Sequence, residues 1–163
     1  MRRIVVSPSS SSRRLAQLFG LAFVIATAGT ALAQDGPSAT HRIVFEVRGL
    51  RSDDGVVSGA LYDDSQKWTR EGQQLAMCRA RVRDRVARCV INVAPGHYAF
   101  AFGHDENANG RIDRNFIGMP EEGFGFSNDV RAGLGGPPSF ESASFDVTPG
   151  GTAVHVMTAR YGI

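Results

Sequence analysis

Short runs of alternating apolar and polar residues recur along most of the chain. Ile43, Phe45 and Val47 alternate with Arg42, Glu46 and Arg48, and strict alternation over four to eight residues marks a half-buried β-strand. Val56 to Tyr62 forms a second run, introduced by the turn residues Asp53, Asp54 and Gly55. Ala76, Cys78, Ala80 and Val82 then alternate with Met77, Arg79 and Arg81, and Ala87, Cys89, Ile91 and Val93 with Arg88 and Asn92. After the Pro95-Gly96 turn, His97 to His104 places Tyr98, Phe100, Phe102 and His104 on one face and Ala99, Ala101 and Gly103 on the other. Large residues on one face and small ones on the other predict a central strand covered on both sides. Phe140 to Val147 and Ala153 to Arg160 close the chain, with Pro149-Gly150-Gly151 between them. Strands in this number over about 120 residues predict an all-β, about seven-stranded Ig-like or transthyretin-like β-sandwich. Asp64 to Gln74, around the single Trp68, reads as a short helix or a loop.

The first 33 residues differ from the rest. They hold four Arg and no acid, and Leu18 to Ala28 is an apolar, Ala-rich run. Ala31-Leu32-Ala33 fits small-x-small cleavage, so residues 1–33 read as an export signal with a mature start at Gln34. Ser12-Arg13-Arg14 is a weak twin-arginine signal with a poor continuation, which favours the general export route. Residues 34–41 then form a short linker and 42–163 a single domain, periplasmic or secreted, with no segment after the leader that could cross a bilayer. Beyond the leader, 14 basic residues face 16 acidic ones. This balance lacks the electrostatic footprint of a nucleic-acid binder. Cys78 and Cys89 are the only cysteines, and an even count in an oxidising compartment predicts a disulfide. A hairpin turning at Arg83-Asp84 sets the two opposite each other on the buried face and sets Arg79 opposite Arg88 on the outer one.

Asp105 to Ser139 breaks the alternation. It holds seven Gly and three of the seven Pro, and a loop of that length in a small domain is either functional or disordered. Phe116, Ile117, Met119, Phe124, Phe126 and Leu134 would anchor it to the sandwich. It opens with Asp105-Glu106-Asn107-Ala108-Asn109-Gly110-Arg111-Ile112-Asp113, spaced as D-x-N-x-N-G-x-x-D. Hard cations need several converging oxygens, and alternate residues of a tight turn supply them. The expected calcium ligands are Asp105, Asn107, Asn109, the Arg111 carbonyl and Asp113, with Gly110 at the sharp bend and Ile112 fixing the turn to the body. A helix-loop-helix site has Glu at the twelfth position; this chain has Phe116, and its lead-in is a strand. Glu121 or Glu122 folding back would supply the missing carboxylate. Without it the expected affinity is weak, on the order of 10⁻⁴–10⁻³ M. The competing reading is a turn held by side-chain-to-backbone hydrogen bonds alone.

Several stretches carry a family resemblance: Gly59-Ala60-Leu61-Tyr62, Gly96-His97-Tyr98-Ala99, His104 through Gly110, Asn115 through Asn128, and Gly136-Pro137-Pro138-Ser139-Phe140 followed by Ala143 and Phe145. Over about Arg42 to Tyr161 the chain resembles a bacterial family of secreted proteins, the domain of unknown function 2141. The resemblance implies an exported single-domain β protein and brings no catalytic residues with it. The cysteine pair lies outside the family pattern and rests on the hairpin arithmetic.

Three functional readings follow. The first is a non-enzymatic binding or accessory module of the cell envelope, monomeric, whose partner is an envelope protein, a glycan or a small ligand. His104, Glu121, Glu122, Phe124 and Phe126 are its candidate ligand-site residues, alongside the calcium turn. The second is a hydrolase-like enzyme using His104 with Glu121 or Glu122, although no G-x-S-x-G, H-E-x-x-H or Cys/His pattern accompanies them. The third is a structural envelope protein whose long loop is only a cover. Arg79, Arg81, Arg83, Arg85 and Arg88 form a basic ridge that reads first as a solubilising face and second as a seat for an anionic partner.

Overall fold

The computed structural model describes residues 40–118, 120–150 and 152–162. The export leader, its cleavage point and most of the linker fall outside the described residues. Eight strands build two facing sheets: β1 (His41–Arg48), β2 (Val56–Tyr62), β3 (Ala76–Arg81), β4 (Ala87–Val93), β5 (Gly96–Asp105), β6 (Gly123–Phe126), β7 (Ser144–Val147) and β8 (Ala153–Thr158). β1 starts at His41, one residue inside the expected linker. One sheet runs β4-β1-β8, with β8 parallel to β1. The other runs β3-β2-β5, and the far edge of β5 is shared end to end by β7, along Gly96–Ala99, and β6, along Ala101–His104. The β-sandwich is the expected fold, with one strand more than the alternation disclosed.

The core lies between the sheets. Ile43, Phe45 and Val47 from β1 meet Phe100 and Phe102 from β5, and the rings of Phe45 and Phe100 stack at 3.8 Å. β5 is the central strand its two-faced pattern predicts. Its large side chains enter this core, and Ala99 and Ala101 face a second apolar cluster on the outer side of the sheet.

Several local expectations need correction. Cys78 and Cys89 are joined as a disulfide, Cα to Cα 5.7 Å, but not across a hairpin ladder. β3 pairs with β2 and β4 with β1, so the chain turns and divides between the sheets, and the bridge staples one sheet to the other. The turn itself sits at Asp84-Arg85, both at positive φ, closed by paired Arg83 and Val86. Consequently Arg79 does not face Arg88: Arg79 reaches Asp105 at 3.3 Å and Arg88 reaches Glu46 at 2.6 Å, on the outer faces of different sheets. Phe140–Ala143 is a single helical turn, α1, capped by Ser139, whose hydroxyl accepts from the Ser142 amide. Around Trp68 the chain makes successive turns, so of the two readings, short helix or loop, the loop is the one realised.

Candidate functional site: a fastened loop over a trough of small residues

The outer face of the β3-β2-β5-β6 sheet is laid out in cross-strand rows. One row reads Met77, Ala60, Ala101, Phe126; the next reads Arg79, Ser58, Gly103, Phe124. Small residues occupy the two middle strands and large ones the edges, which leaves a trough along the sheet. The segment after β5 roofs it, and the resulting cleft has a volume of about 520 Å³, with Ile112, Arg114, Pro120, Phe124 and Leu134 among its walls. Apolar clefts of roughly 300–1,000 Å³ with a few polar groups are the usual form of a small-ligand site.

The roof is tied down by carboxylates. Asp105, fully buried at the end of β5, accepts the Asn109 amide at 2.9 Å and the Gly110 amide at 2.8 Å. This winds the chain into a tight turn, and Gly110 at φ +90° takes the bend that a side chain would strain. The turn brings three of the expected ligands together. Asn107 Nδ2 donates to Asp113 at 2.7 Å and Asn109 Nδ2 at 3.0 Å, and these bonds hold the Asp113 carboxyl below its ordinary range. The amide oxygens of Asn107 and Asn109 accept the backbone N–H two residues ahead of each. The side-chain-to-backbone bonds of the competing reading are thus present, alongside the side-chain bonds from both Asn to Asp113. A cation at the same point would need the two Asn amides turned to offer oxygen. Among the described residues no group of three or more His, Cys, Asp or Glu is placed to hold a metal, so amide and carbonyl oxygens would have to complete any such site.

Glu122 does fold back, as the sequence allowed, but onto the backbone. Its two oxygens accept the Glu106 and Asp113 amides, both at 2.9 Å, closing the segment like a clasp. Glu121 is exposed; its amide donates to the Asp113 carbonyl. Ile112 lies directly on Gly103: a Cβ added there would come within 2.2 Å of the Ile112 side chain, so only glycine leaves the turn this close to the strand.

His104 lies beneath this assembly, with no exposed surface. Its Nε2 donates to the Asp54 carbonyl at 2.8 Å, and its Nδ1 takes the Tyr161 hydroxyl at 3.0 Å. That hydroxyl in turn accepts the Arg51 amide. The Arg51 guanidinium covers the Tyr161 ring at 4.5 Å and donates to Glu106 at 2.8 Å, which holds the Glu106 carboxyl below its usual range. Arg51 and Tyr161, distant in sequence and unremarked by any motif, thus brace the loop from both chain ends. Phe126 is buried and Phe124 half-buried, so Phe124 faces the cleft while Phe126 helps close its end.

A small all-β sandwich with a self-roofed cleft on one outer face is the class that these features define. Within it, the chain belongs to the family described as "Uncharacterized protein conserved in bacteria (DUF2141)", whose model matches residues 45–155. Neither the curated proteins nor the solved structures provide a match.

Proposed function

We propose that this protein is an exported, non-enzymatic binding module of the bacterial cell envelope whose ligand seat is the cleft above Ser58, Ala60, Ala101 and Gly103. The observation that carries this reading is the trough itself: a sheet face packed with aromatics at one end is left lined with small residues at the other and roofed by a clasped segment. Export is supported by the leader in the sequence and by the disulfide, which belongs to oxidising compartments. The binding reading is preferred to a hydrolase-like one because His104 is wholly buried with both nitrogens engaged, and Glu122 commits both oxygens to amides.

The test is a saturable fluorescence titration with anilinonaphthalene sulfonate, an apolar anion. The native protein binds one molecule, and Ala101→Leu, which fills the trough, abolishes the signal without lowering the melting temperature. Equal binding by both proteins would remove the cleft from the proposal.

A calcium ion in the Asp105–Asp113 turn is the second part of the proposal, supported by the convergence of Asn107, Asn109 and Asp113 within 3.0 Å. Melting is compared in EDTA, in 10 mM Mg²⁺ and in 10 mM Ca²⁺. A ligand at 100 times its Kd adds about 2.7 kcal/mol, a rise of several degrees for a domain of this size. Absence of a calcium-selective rise leaves the turn held by its own hydrogen bonds.

A further inference from the structure

Two hairpins wall the cleft, one through Arg114, Gly118 and Pro120 and the other through Gly133–Gly136, and both carry apolar side chains turned to solvent at their tips. The first hairpin is closed by the Arg114–Pro120 bridge and the Gly118 amide on the Asn115 carbonyl; Phe116 at its tip is 99% exposed and Ile117 67%. The second is the Gly133–Gly136 turn, whose paired amides and carbonyls present Leu134 at 98% exposure. Single exposed apolar residues are ordinary on a protein surface, but three on the two hairpins that wall an apolar cleft are not. The same segment buries its other aromatics well: Phe126 and Phe140 are both in the outer cluster. Phe116 and Leu134 are thus held out by short, tightly bonded turns, not left out for want of a partner surface.

The charge beside the tips has a matching sign. Arg114, at the base of the first hairpin, donates to the Gly118 carbonyl of its own turn and, among the described residues, to no carboxylate. Arg131, exposed and three residues before Leu134, has no bonded partner among the described residues. Most nearby acids are engaged: Asp113 by the two Asn amides, Glu106 by Arg51, Asp129 by Arg160. Glu121 is the exposed exception, on the side where Arg51 takes its carbonyl.

The geometry points to an anionic lipid surface as the partner of this rim: Phe116, Ile117 and Leu134 enter the boundary between headgroups and acyl chains, and Arg114 and Arg131 meet the phosphates. Apolar side chains flanked by cations are the composition of interfacial binding, and attraction to an anionic leaflet adds to each cation near it. The inference deepens the cleft reading, because docking by the rim turns the cleft's mouth toward the lipid and makes an acyl chain its natural occupant.

The full chain is expressed in a bacterial host and the protein recovered from the periplasmic fraction is mixed with sedimentable vesicles. One set is 7:3 phosphatidylcholine to phosphatidylglycerol and the other is phosphatidylcholine alone. Binding is expected to favour the anionic vesicles and to weaken with salt. Phe116→Ser with Leu134→Ser is expected to cut the partition by roughly tenfold or more per side chain with an unchanged melting temperature, since both side chains are exposed in the folded protein. Arg114→Gln with Arg131→Gln should erase the preference for the anionic set. Ala101→Leu, which closes the cleft to an acyl chain but leaves the rim, should weaken vesicle binding far less than the Ser pair does. If Ala101→Leu still bound anilinonaphthalene sulfonate, the cleft reading would fail and the rim would stand. Binding abolished by Ala101→Leu but kept by the Ser variant would overturn the rim. Two further results would also overturn it: no sedimentation with either vesicle set, or a native dimer that the Ser variant dissociates, which would make a second copy the occupant.

Discussion

The outer face of the β3-β2-β5 sheet is covered in two different ways. At the β7 end, Trp68 stands within 5.3–6.0 Å of the rings of Tyr62, Phe126 and Phe140, and its Nε1 donates to the Pro138 carbonyl at 2.8 Å. Side chains fill that end. At the β6 end the same strands offer Ser58, Ala60, Ala101 and Gly103, and the cover is held by carboxylates gripping backbone amides. A cover fixed by filling leaves no room; a cover fixed by hydrogen bonds at its edges can span an empty space. A few small residues in paired positions therefore suffice to convert a packed layer into a cleft.

The largest expected effect breaks the filled end. Trp68→Ala removes a half-buried ring that three other rings touch; its cost should approach the low end of the ~3–5 kcal/mol of a fully buried aromatic, a fall in melting temperature on the order of ten degrees. A change no larger than that of a surface substitution would mean that the aromatic end is as loosely filled as the cleft, and the contrast would fail. The next effect loosens the spanning end. Glu122→Gln sets an amide N–H₂ against one of two backbone donors, and leaving a buried donor unsatisfied costs about 1–3 kcal/mol. Limited trypsin digestion should then cut at Arg111 or Arg114 while cleavage elsewhere stays slow. Glu121→Gln, at an exposed side chain, should leave the digestion pattern unchanged.

How much of this was legible in the sequence depends on how local the determinant is. β1, β2 and β5 follow from alternation because each buries one face against the other sheet. β6 escaped notice because Gly-Phe-Gly-Phe reads as loop; it is a strand because Gly125 and Gly123 leave room for the Phe102 and Tyr161 side chains on the inner side. Phe140–Ala143 runs straight into the alternation of β7, yet it forms α1 because the Ser139 cap, a side-chain bond spanning three residues, outweighs the strand pattern there. The cysteine arithmetic named the bonded pair, since the turn keeps the two close even though their strands part. In the site, the bend at Gly110 is written in spacing, whereas the spacing leaves open whether Glu121 or Glu122 returns. The trough and its Arg51–Tyr161 brace are not written there at all. They are assembled from segments far apart in the chain, and no single stretch records that Ser58 lies beside Gly103 or that residue 161 reaches residue 104.

Acid supplies the finest test of the comparison, because the two ends depend on charge to different degrees. Glu106 and Asp113 have carboxyls held below their ordinary values of 4.5 and 3.8, chiefly by hydrogen bonds from Arg51 and from Asn109. A carboxylate whose folded pKa is depressed contributes stability above its unfolded value and loses it as pH falls through the folded one. The spanning end should therefore loosen below about pH 4.5, while carboxylates at the aromatic end, such as Glu141 and Asp146, make only exposed pairs, here with His97. His155 acts in a separate window: burial against Phe45 and Phe145 lowers its pKa below 6.5, so the unfolded chain takes up its proton first. The whole sandwich should lose some stability as pH falls below about 6.5, and His155→Phe should flatten that decline without changing what happens below 4.5. Amide exchange, corrected for its intrinsic pH dependence, separates the two ends. Residues 106–122 should lose protection at a higher pH than residues 140–147. If both stretches open together, the clasped roof and the aromatic cover are one cooperative unit, and the cleft is no freer to move than the layer beside it.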